Sequence, residues 1–235
     1  MDEFLTEQQQ AEEVKGWIRQ NGLFLIGGVV IGLGALFGWN QWNLYQLRQA
    51  EAASAAYEVF LVAVRGGLLT EAEAGMNTLV ASYGSSPYTD QARLAMARLY
   101  LDQSKPDQAV GFLKQVVSSG ASPEFANIAR LRLARVLVFQ EKYAEALETL
   151  IDPGSKAFAP AFHDVRGDVY YAMGKFAEAR SEYEQALNGE LSATAVDKNY
   201  VQAKLDDLGG ATAIVELAAT PSTTAAAPAA SAPAP

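Results

Sequence analysis

The chain has 235 residues, half of them apolar, a formal net charge of −9, one histidine and no cysteine. Its acidic balance argues against a nucleic-acid partner, because phosphate groups need a basic face. Without cysteine the chain has no disulfide, thiolate nucleophile or cysteine-bound zinc, and one histidine excludes a multi-histidine metal site. We therefore expect no metal and no cofactor, while the redox compartment stays open.

The first predicted element is the uncharged run at residues 22–39, GLFLIGGVVIGLGALFGW. Its glycines look like a dinucleotide-binding fingerprint, but the spacing Gly-x-Gly-x-x-x-Gly is one residue too long, and no strand or polar turn interrupts the run. Extended to residue 42, the run is long enough to cross about 30 Å of hydrocarbon as a helix. Aromatic residues at both ends suit the membrane interfaces. We predict a transmembrane helix over 22–42.

Two alternatives to a retained span are a buried helix of a soluble protein and a cleaved signal peptide. Bulky Trp39 and Trp42 stand where a signal peptide would have its small cleavage-site residues, which disfavours cleavage. Lys15 and Arg19 precede the span closely, whereas the first base after it is Arg48. This bias predicts a cytoplasmic head at residues 1–21 and a single-pass inner-membrane protein whose C-terminal part is periplasmic.

The span also carries two small-xxx-small pairs, which let neighbouring membrane helices approach closely. We interpret them either as a helix-packing face or as glycines that are merely tolerated in a membrane helix. The four residues are Gly28, Gly32, Gly34 and Gly38.

The chain after the span has a helical composition, and three of its segments align with one another: residues 94–116, 131–151 and 165–187. A small residue recurs on the first helix of each, about 37 and then 33 residues apart, close to the roughly 34 of tetratricopeptide repeats. Small residues at a crossing let two antiparallel helices approach, so we predict an all-α tetratricopeptide-repeat-like solenoid over 43–210 behind the transmembrane helix. The repeat anchors are Ala97, Ala134 and Gly167 on the first helices and Ala109, Ala146 and Ala179 on the second.

The ends of the solenoid are less regular. We expect residues 43–83 to form a further helical pair with degenerate anchors, and Pro153 to end one helix early. A closing helix is predicted over 197–208, stopped by Gly209 and Gly210. The segment 211–235 is rich in alanine and proline and is predicted to be a disordered tail.

The first helices of such repeats line a concave groove, and ordinary packing between repeats is the alternative role for the same side chains. An apolar floor with arginines suits an extended or helical peptide. The groove residues predicted from the repeat spacing are Leu94, Arg98, Leu101, Leu131, Arg135, Val138, Asp168 and Tyr171.

The only histidine, His163, lies near the start of the last repeat. A Ser-His-Asp arrangement would need an orienting acid and a nearby serine, and the adjacent Asp164 points elsewhere on a helix. We therefore expect no enzymatic activity.

The stretches EEVKGWIRQNG before the span and GLGALFGWNQWN at its end, followed by degenerate repeats, resemble the YfgM family over about residues 12–208. The family comprises ancillary subunits of the SecYEG translocon in Gram-negative bacteria. The resemblance implies a single-pass inner-membrane protein with a periplasmic repeat domain, which associates with SecYEG and the periplasmic chaperone PpiD and assists exported polypeptides.

Together these observations predict a non-enzymatic, membrane-anchored adaptor or chaperone at the translocon, whose partners are SecYEG, a PpiD-like chaperone, exported polypeptides and membrane lipid. A structural scaffold for an envelope or cell-division complex is the alternative, because the same repeats would serve it.

Overall fold

The computed structural model describes residues 7–119, 122–189 and 191–219, and over these residues it is helical throughout, with no strand. The helices in chain order are α1 (Glu7–Arg65), α2 (Leu69–Tyr83), α3 (Pro87–Asp102), α4 (Pro106–Ser119), α5 (Pro123–Phe139), α6 (Tyr143–Thr149), α7 (Ala159–Ala172), α8 (Phe176–Asn188), α9 (Ser192–Ala195) and α10 (Lys198–Ala219). The all-α, tetratricopeptide-like architecture predicted from the sequence is confirmed.

Helix α1 joins three predicted regions without a break: the head, the span and the first repeat helix. No proline precedes Pro87, so nothing in the sequence ends the helix before Gly66 and Gly67. In the part of the chain that the structure describes, α1 is the one helix that is long and apolar enough to cross a membrane. Its apolar side chains between residues 23 and 42 are exposed, as a lipid-facing surface requires.

Four helical hairpins follow one another, formed by α1–α2, α3–α4, α5–α6 and α7–α8. Each has a three-residue turn whose middle residue is left-handed: Gly67 (φ 67°), Ser104 (φ 57°), Glu141 (φ 60°) and Gly174 (φ 73°). In each, the last turn residue donates its N–H to a carbonyl five residues back, at 2.8–3.0 Å, and this bond ends the first helix.

The hairpin of residues 43–83 therefore shares the turn of the other three although its anchors differ. Ala72, which is fully buried, takes the place of Ala109 in the next repeat. The first helix presents the large Phe60 at its crossing, and the second helix has the small partner there. A Cβ on Gly75 would lie 3.3 Å from the Cβ of Phe60. The large residue lies on the first helix and the small one on the second, the reverse of the other hairpins, and this reversal hides the repeat in the sequence.

The connections between hairpins use helix-start signals. Ser86 and Ser122 each precede a proline and accept an N–H bond at the first turn of α3 and α5, both at 3.3 Å. Helix α6 ends at Thr149 and spans only seven residues, as Pro153 predicts.

The crossing of the fourth hairpin, α7–α8, is tight. The Tyr183 ring lies against Gly167, and a Cβ at that glycine would overlap the ring. Tyr183 is nearly fully buried, and its hydroxyl donates to Asp168 Oδ1 at 2.9 Å. Glycine is required here because the ring occupies the volume that Ala97 or Ala134 fills in the earlier hairpins.

Helix α10 covers the open end of the stack. Val201 and Leu208 join Tyr183 and Ala186 in a small buried cluster against α8. The prediction that Gly209 and Gly210 stop this helix is wrong, because α10 continues to Ala219. Glycine weakens a helix by about 1 kcal/mol but does not forbid one, and Gly209 keeps a negative φ. The helix enters the predicted tail segment, of which residues 220–235 lie outside the described residues.

Lys204 fastens α10 to the last hairpin. Its Nζ donates to Asp164 Oδ1 at 2.8 Å and to Asp168 Oδ1 at 2.6 Å, and it lies over the Tyr200 ring. Burial lowers the pKa of Lys204, but the charges and hydrogen bonds of Asp168 and Asp164 outweigh burial, so the pKa is raised. The ammonium therefore stays charged inside the contact.

We predict that Gly167→Ala destabilises the protein by about 1–3 kcal/mol, because a methyl group forces the Tyr183 ring to move within a packed crossing. The control is Gly111→Ala on α4, where an added Cβ meets no atom within 4 Å. It should stabilise the protein by roughly 0.5–1 kcal/mol through helix propensity. Urea unfolding of the full chain in detergent, followed by circular dichroism, measures both. Equal effects of the two substitutions would contradict the tight crossing.

We predict that Lys204→Met destabilises the protein by about 2–4 kcal/mol, because two carboxylates lose their partner in a mostly buried contact. Lys198→Met, at an exposed position on the same helix, should have little effect. Since the folded-state pKa of Lys204 is raised, its contribution is complete below the ordinary value of 10.5 and is lost as the pH rises through the folded-state value. The stability gap between wild type and Lys204→Met should narrow there; a constant gap would contradict the prediction.

Candidate functional site: a groove between two repeats

An open cavity with a volume of about 410 Å³ lies between α3 and α5. Its floor is apolar and buried, its rim carries three arginines, and one end is formed by a phenylalanine that is 80% exposed. The lining residues are Leu94, Ala97, Arg98, Leu101, Leu113, Arg132, Arg135, Val136 and Phe139. We call this cavity the arginine groove.

On α3 the lining follows the spacing of one helical face. Leu94, Arg98 and Leu101 lie at i, i+4 and i+7, as predicted, and all three line the groove. Ala97 provides the close approach of α4 beneath them, and Leu113 of α4 closes the floor.

On α5 the lining face is rotated relative to the prediction. Arg135 lines the groove, but Leu131 and Val138 pack into the core on either side of it. Arg132, Val136 and Phe139 line the groove in their place, again at i, i+4 and i+7. The signal that identifies them is the pairing of two arginines with a phenylalanine on one side of an otherwise leucine-rich helix.

The predicted groove residues of α7 lie apart from this cavity. Asp168 and Tyr171 line a separate cavity of about 200 Å³ with Lys204 and Asp207 of α10. The Tyr171 hydroxyl donates to Asp207 Oδ2 at 3.0 Å, and this hydrogen bond is the main cause that raises the pKa of Tyr171. The chain's own last helix therefore covers the groove at the final repeat.

The arginines of the groove are unequally compensated. Arg98 pairs with Asp102 at 2.9 Å, but both side chains are largely exposed, and Arg135 reaches Asp164 only at 3.6 Å. Within the described residues no carboxylate lies in ion-pair distance of Arg132. Burial, and then the charges of Arg98 and Arg135, lower the pKa of Arg132.

The six repeat anchors lie at the helix crossings. Ala97, Ala134, Ala109, Ala146 and Ala179 are at most 1% exposed, and Gly167 is buried against Tyr183.

The four span glycines lie on α1, where an added Cβ meets no atom within 4 Å in the described chain. Their role in packing against another membrane helix stays a prediction. They are Gly28, Gly32, Gly34 and Gly38.

His163 lies in a structural contact on α7. Its Nδ1 is 2.8 Å from Glu182 Oε2 and 2.7 Å from Arg166 Nη2, and Arg166 also donates to Glu182. The adjacent Asp164 faces Lys204 of α10, so the two neighbours in sequence have different partners. His163 joins α7 to α8 with Glu182 and Arg166.

Comparison with known proteins agrees with this architecture. Residues 15–210 match the sequence model of the tetratricopeptide repeat-like domain. Two crystal structures of nearly identical TPR-like repeats from Podosopora anserina share the fold; one has a TM-score of 0.52 at 20% identity, covering 72% of this chain and 90% of that chain.

Curated relatives match over nearly their whole length. The ancillary SecYEG translocon subunit of Escherichia coli K12 is 30% identical over 208 residues, which is 88% of this chain and 99% of the relative. The protein of the same name from Neisseria gonorrhoeae FA 1090 is 32% identical, covering 87% and 98%.

These relatives and the apolar helix α1 fit a single-pass inner-membrane protein. The family match spans most of the chain and includes both the whole predicted span at residues 22–42 and all four hairpins. The chain belongs to the tetratricopeptide repeat-like domain family and, within it, to the YfgM family of ancillary SecYEG translocon subunits.

Proposed function

We propose that this chain is a non-enzymatic subunit of the SecYEG translocon, anchored in the inner membrane by α1, that binds exported polypeptides through its repeats on the periplasmic side. The observation that carries the proposal is the match over 98–99% of the length of relatives named ancillary SecYEG translocon subunits. A PpiD-like periplasmic chaperone and membrane lipid are the further partners that we propose.

The continuity of α1 supports an adaptor that works close to the membrane. The first fully buried side chain after the span is Ala53, which is about 16 Å along the helix axis from Trp42. No flexible linker separates the anchor from the hairpins. Anchoring raises the effective concentration of the repeats near the translocon without any new contact.

The periplasmic orientation is supported by the distribution of basic residues. Lys15 and Arg19 lie within a few residues of the span on its N-terminal side, whereas Arg48 is the first base on the other side. Short flanking segments with more lysine and arginine stay in the cytoplasm.

The arginine groove is the part of the repeats that we propose to contact exported polypeptides. Its buried floor offers contact for apolar side chains, and its rim offers donors for a peptide backbone or a carboxylate. The exposed ring of Phe139 at one end is a surface that a partner would bury.

We predict that the protein stays in the membrane fraction after carbonate extraction, because residues 22–42 form an uncleaved span. In spheroplasts, externally added protease should digest the hairpins while a short N-terminal fragment stays protected. Immunoblotting with tags at both termini measures this. Solubility in carbonate, or protection of the hairpins, would contradict the proposed location.

We predict that a photoreactive amino acid at Phe139 crosslinks to exported polypeptides or translocon-associated chaperones in living cells. The matched control is Ile151, which is 72% exposed and does not line the groove. Purification in mild detergent should recover SecYEG with both the Phe139 and the Ile151 variants. Recovery of division or wall-synthesis proteins in its place would favour the scaffold alternative, and equal crosslinking at both positions would contradict a specific groove.

A further inference from the structure

The arginine groove carries a charge opposite to that of the whole molecule. Three arginines from two helices converge on its rim, and none of its lining residues is acidic. The chain as a whole has a net charge of −9. The arginines attract anions at the groove, whereas the rest of this acidic protein repels them. Within this molecule the groove is therefore a local binding surface for negatively charged groups.

The compensating carboxylates near the groove are weakly engaged. Asp102 meets Arg98 where both side chains are more than half exposed, and water screens such a pair. Asp164 lies nearer to Lys204 Nζ, at 2.8 Å, than to Arg135 Nη2, at 3.6 Å. An incoming carboxylate could therefore pair with Arg132, which has no ion-pair partner among the described residues. It could also pair with Arg135, whose own partner Asp164 is 3.6 Å away.

Lys204 offsets part of the negative charge of the adjacent repeat. Asp164 and Asp168 of α7 would extend a negative surface toward the groove, and both are held by the one ammonium group. The charged side chains that line the cavity beside the apolar floor are the three arginines.

We propose that the arginine groove selects polypeptide segments in which carboxylates alternate with apolar side chains, in preference to neutral or basic segments of equal hydrophobicity. This inference deepens the proposed function and rests on it. Guanidinium groups hold carboxylates by paired hydrogen bonds, and the buried floor of Leu94, Leu113 and Val136 takes the apolar side chains next to them. The occupant that fits is an acidic, apolar segment of an unfolded exported chain.

Arg132 is the central residue of this selection. Its guanidinium lies on the rim with Arg98 and Arg135, and no carboxylate of the described residues is in ion-pair distance. Partial burial and then these two like charges lower its pKa, although the group stays charged. A bound carboxylate relieves that repulsion.

The test uses the full chain in nanodiscs and three fluorescent peptides with the same leucine and phenylalanine positions, whose intervening residues are glutamate, glutamine or lysine. Fluorescence anisotropy should show the glutamate peptide binding about tenfold more tightly than the glutamine peptide, the gain of one charge-assisted hydrogen bond. The lysine peptide should bind most weakly, and salt should reduce the differences.

Variants assign the preference to the groove. Arg132→Gln should remove most of the preference for glutamate, Arg132→Lys should restore part of it, and Arg180→Gln on α8, outside the groove, should leave it unchanged. Equal binding of the three peptides, or a preference that survives Arg132→Gln, overturns this inference alone. Binding of none of the peptides overturns it together with the proposed role of the groove, while recovery of SecYEG still tests the translocon assignment.

Discussion

The close crossing of two antiparallel helices is the constraint on which the remaining structure depends. Each hairpin keeps a left-handed residue in its turn, and this turn fixes how the second helix returns along the first. The crossing then needs a small residue: Ala97 and Ala134 are buried there in the two middle hairpins, Gly167 meets Tyr183 in the last, and Gly75 meets Phe60 in the first. Stacking of equally spaced hairpins follows from this shared geometry, and so does the groove between α3 and α5.

The stack is closed at its end by a charged contact as well as an apolar one. Removing Lys204 from water costs much of what its attraction to Asp164 and Asp168 returns, so the ion pairs add little stability by themselves. Their effect is positional, because Lys204 finds both carboxylates only when α10 lies against α7 in one register. That position determines where the open groove ends and which charges remain beside it.

Sequence periodicity predicted the hairpins well because their signals are local. The turn residues and the small anchors recur at nearly fixed spacing, the span is one continuous apolar run, and Pro153 is a single residue that ends a helix. The first hairpin was harder to recognise, since the large Phe60 is on its first helix and the small Gly75 on its second, the reverse of the other hairpins. Gly209 and Gly210 suggested a helix end, but the contacts of Val201 and Leu208 with α8 hold α10 in place just before them.

The residues that line the groove could be predicted only in part from their spacing in the sequence. One residue along a helix corresponds to a rotation of about 100°, so an error of one position exchanges core and surface. The prediction placed Leu131 and Val138 in the groove, whereas Arg132 and Val136 line it. Which face of α5 is open depends on how α4 and α7 pack against it, and this packing involves residues distant in sequence. The covering of Asp168 by Lys204 is likewise a contact across 36 residues.

In the proposed location, the continuous helix α1 holds the arginine groove at a set distance from the membrane. A flexible linker would spread the repeats over many distances from the bilayer, and its contribution to local concentration would fall as its length increases. Here a helix without proline or turn joins the span to the first crossing, so the hairpins keep a nearly fixed height and direction. Selectivity for acidic, apolar segments then acts on chains at one position near the membrane, where a weak affinity is sufficient because the anchor has already supplied proximity.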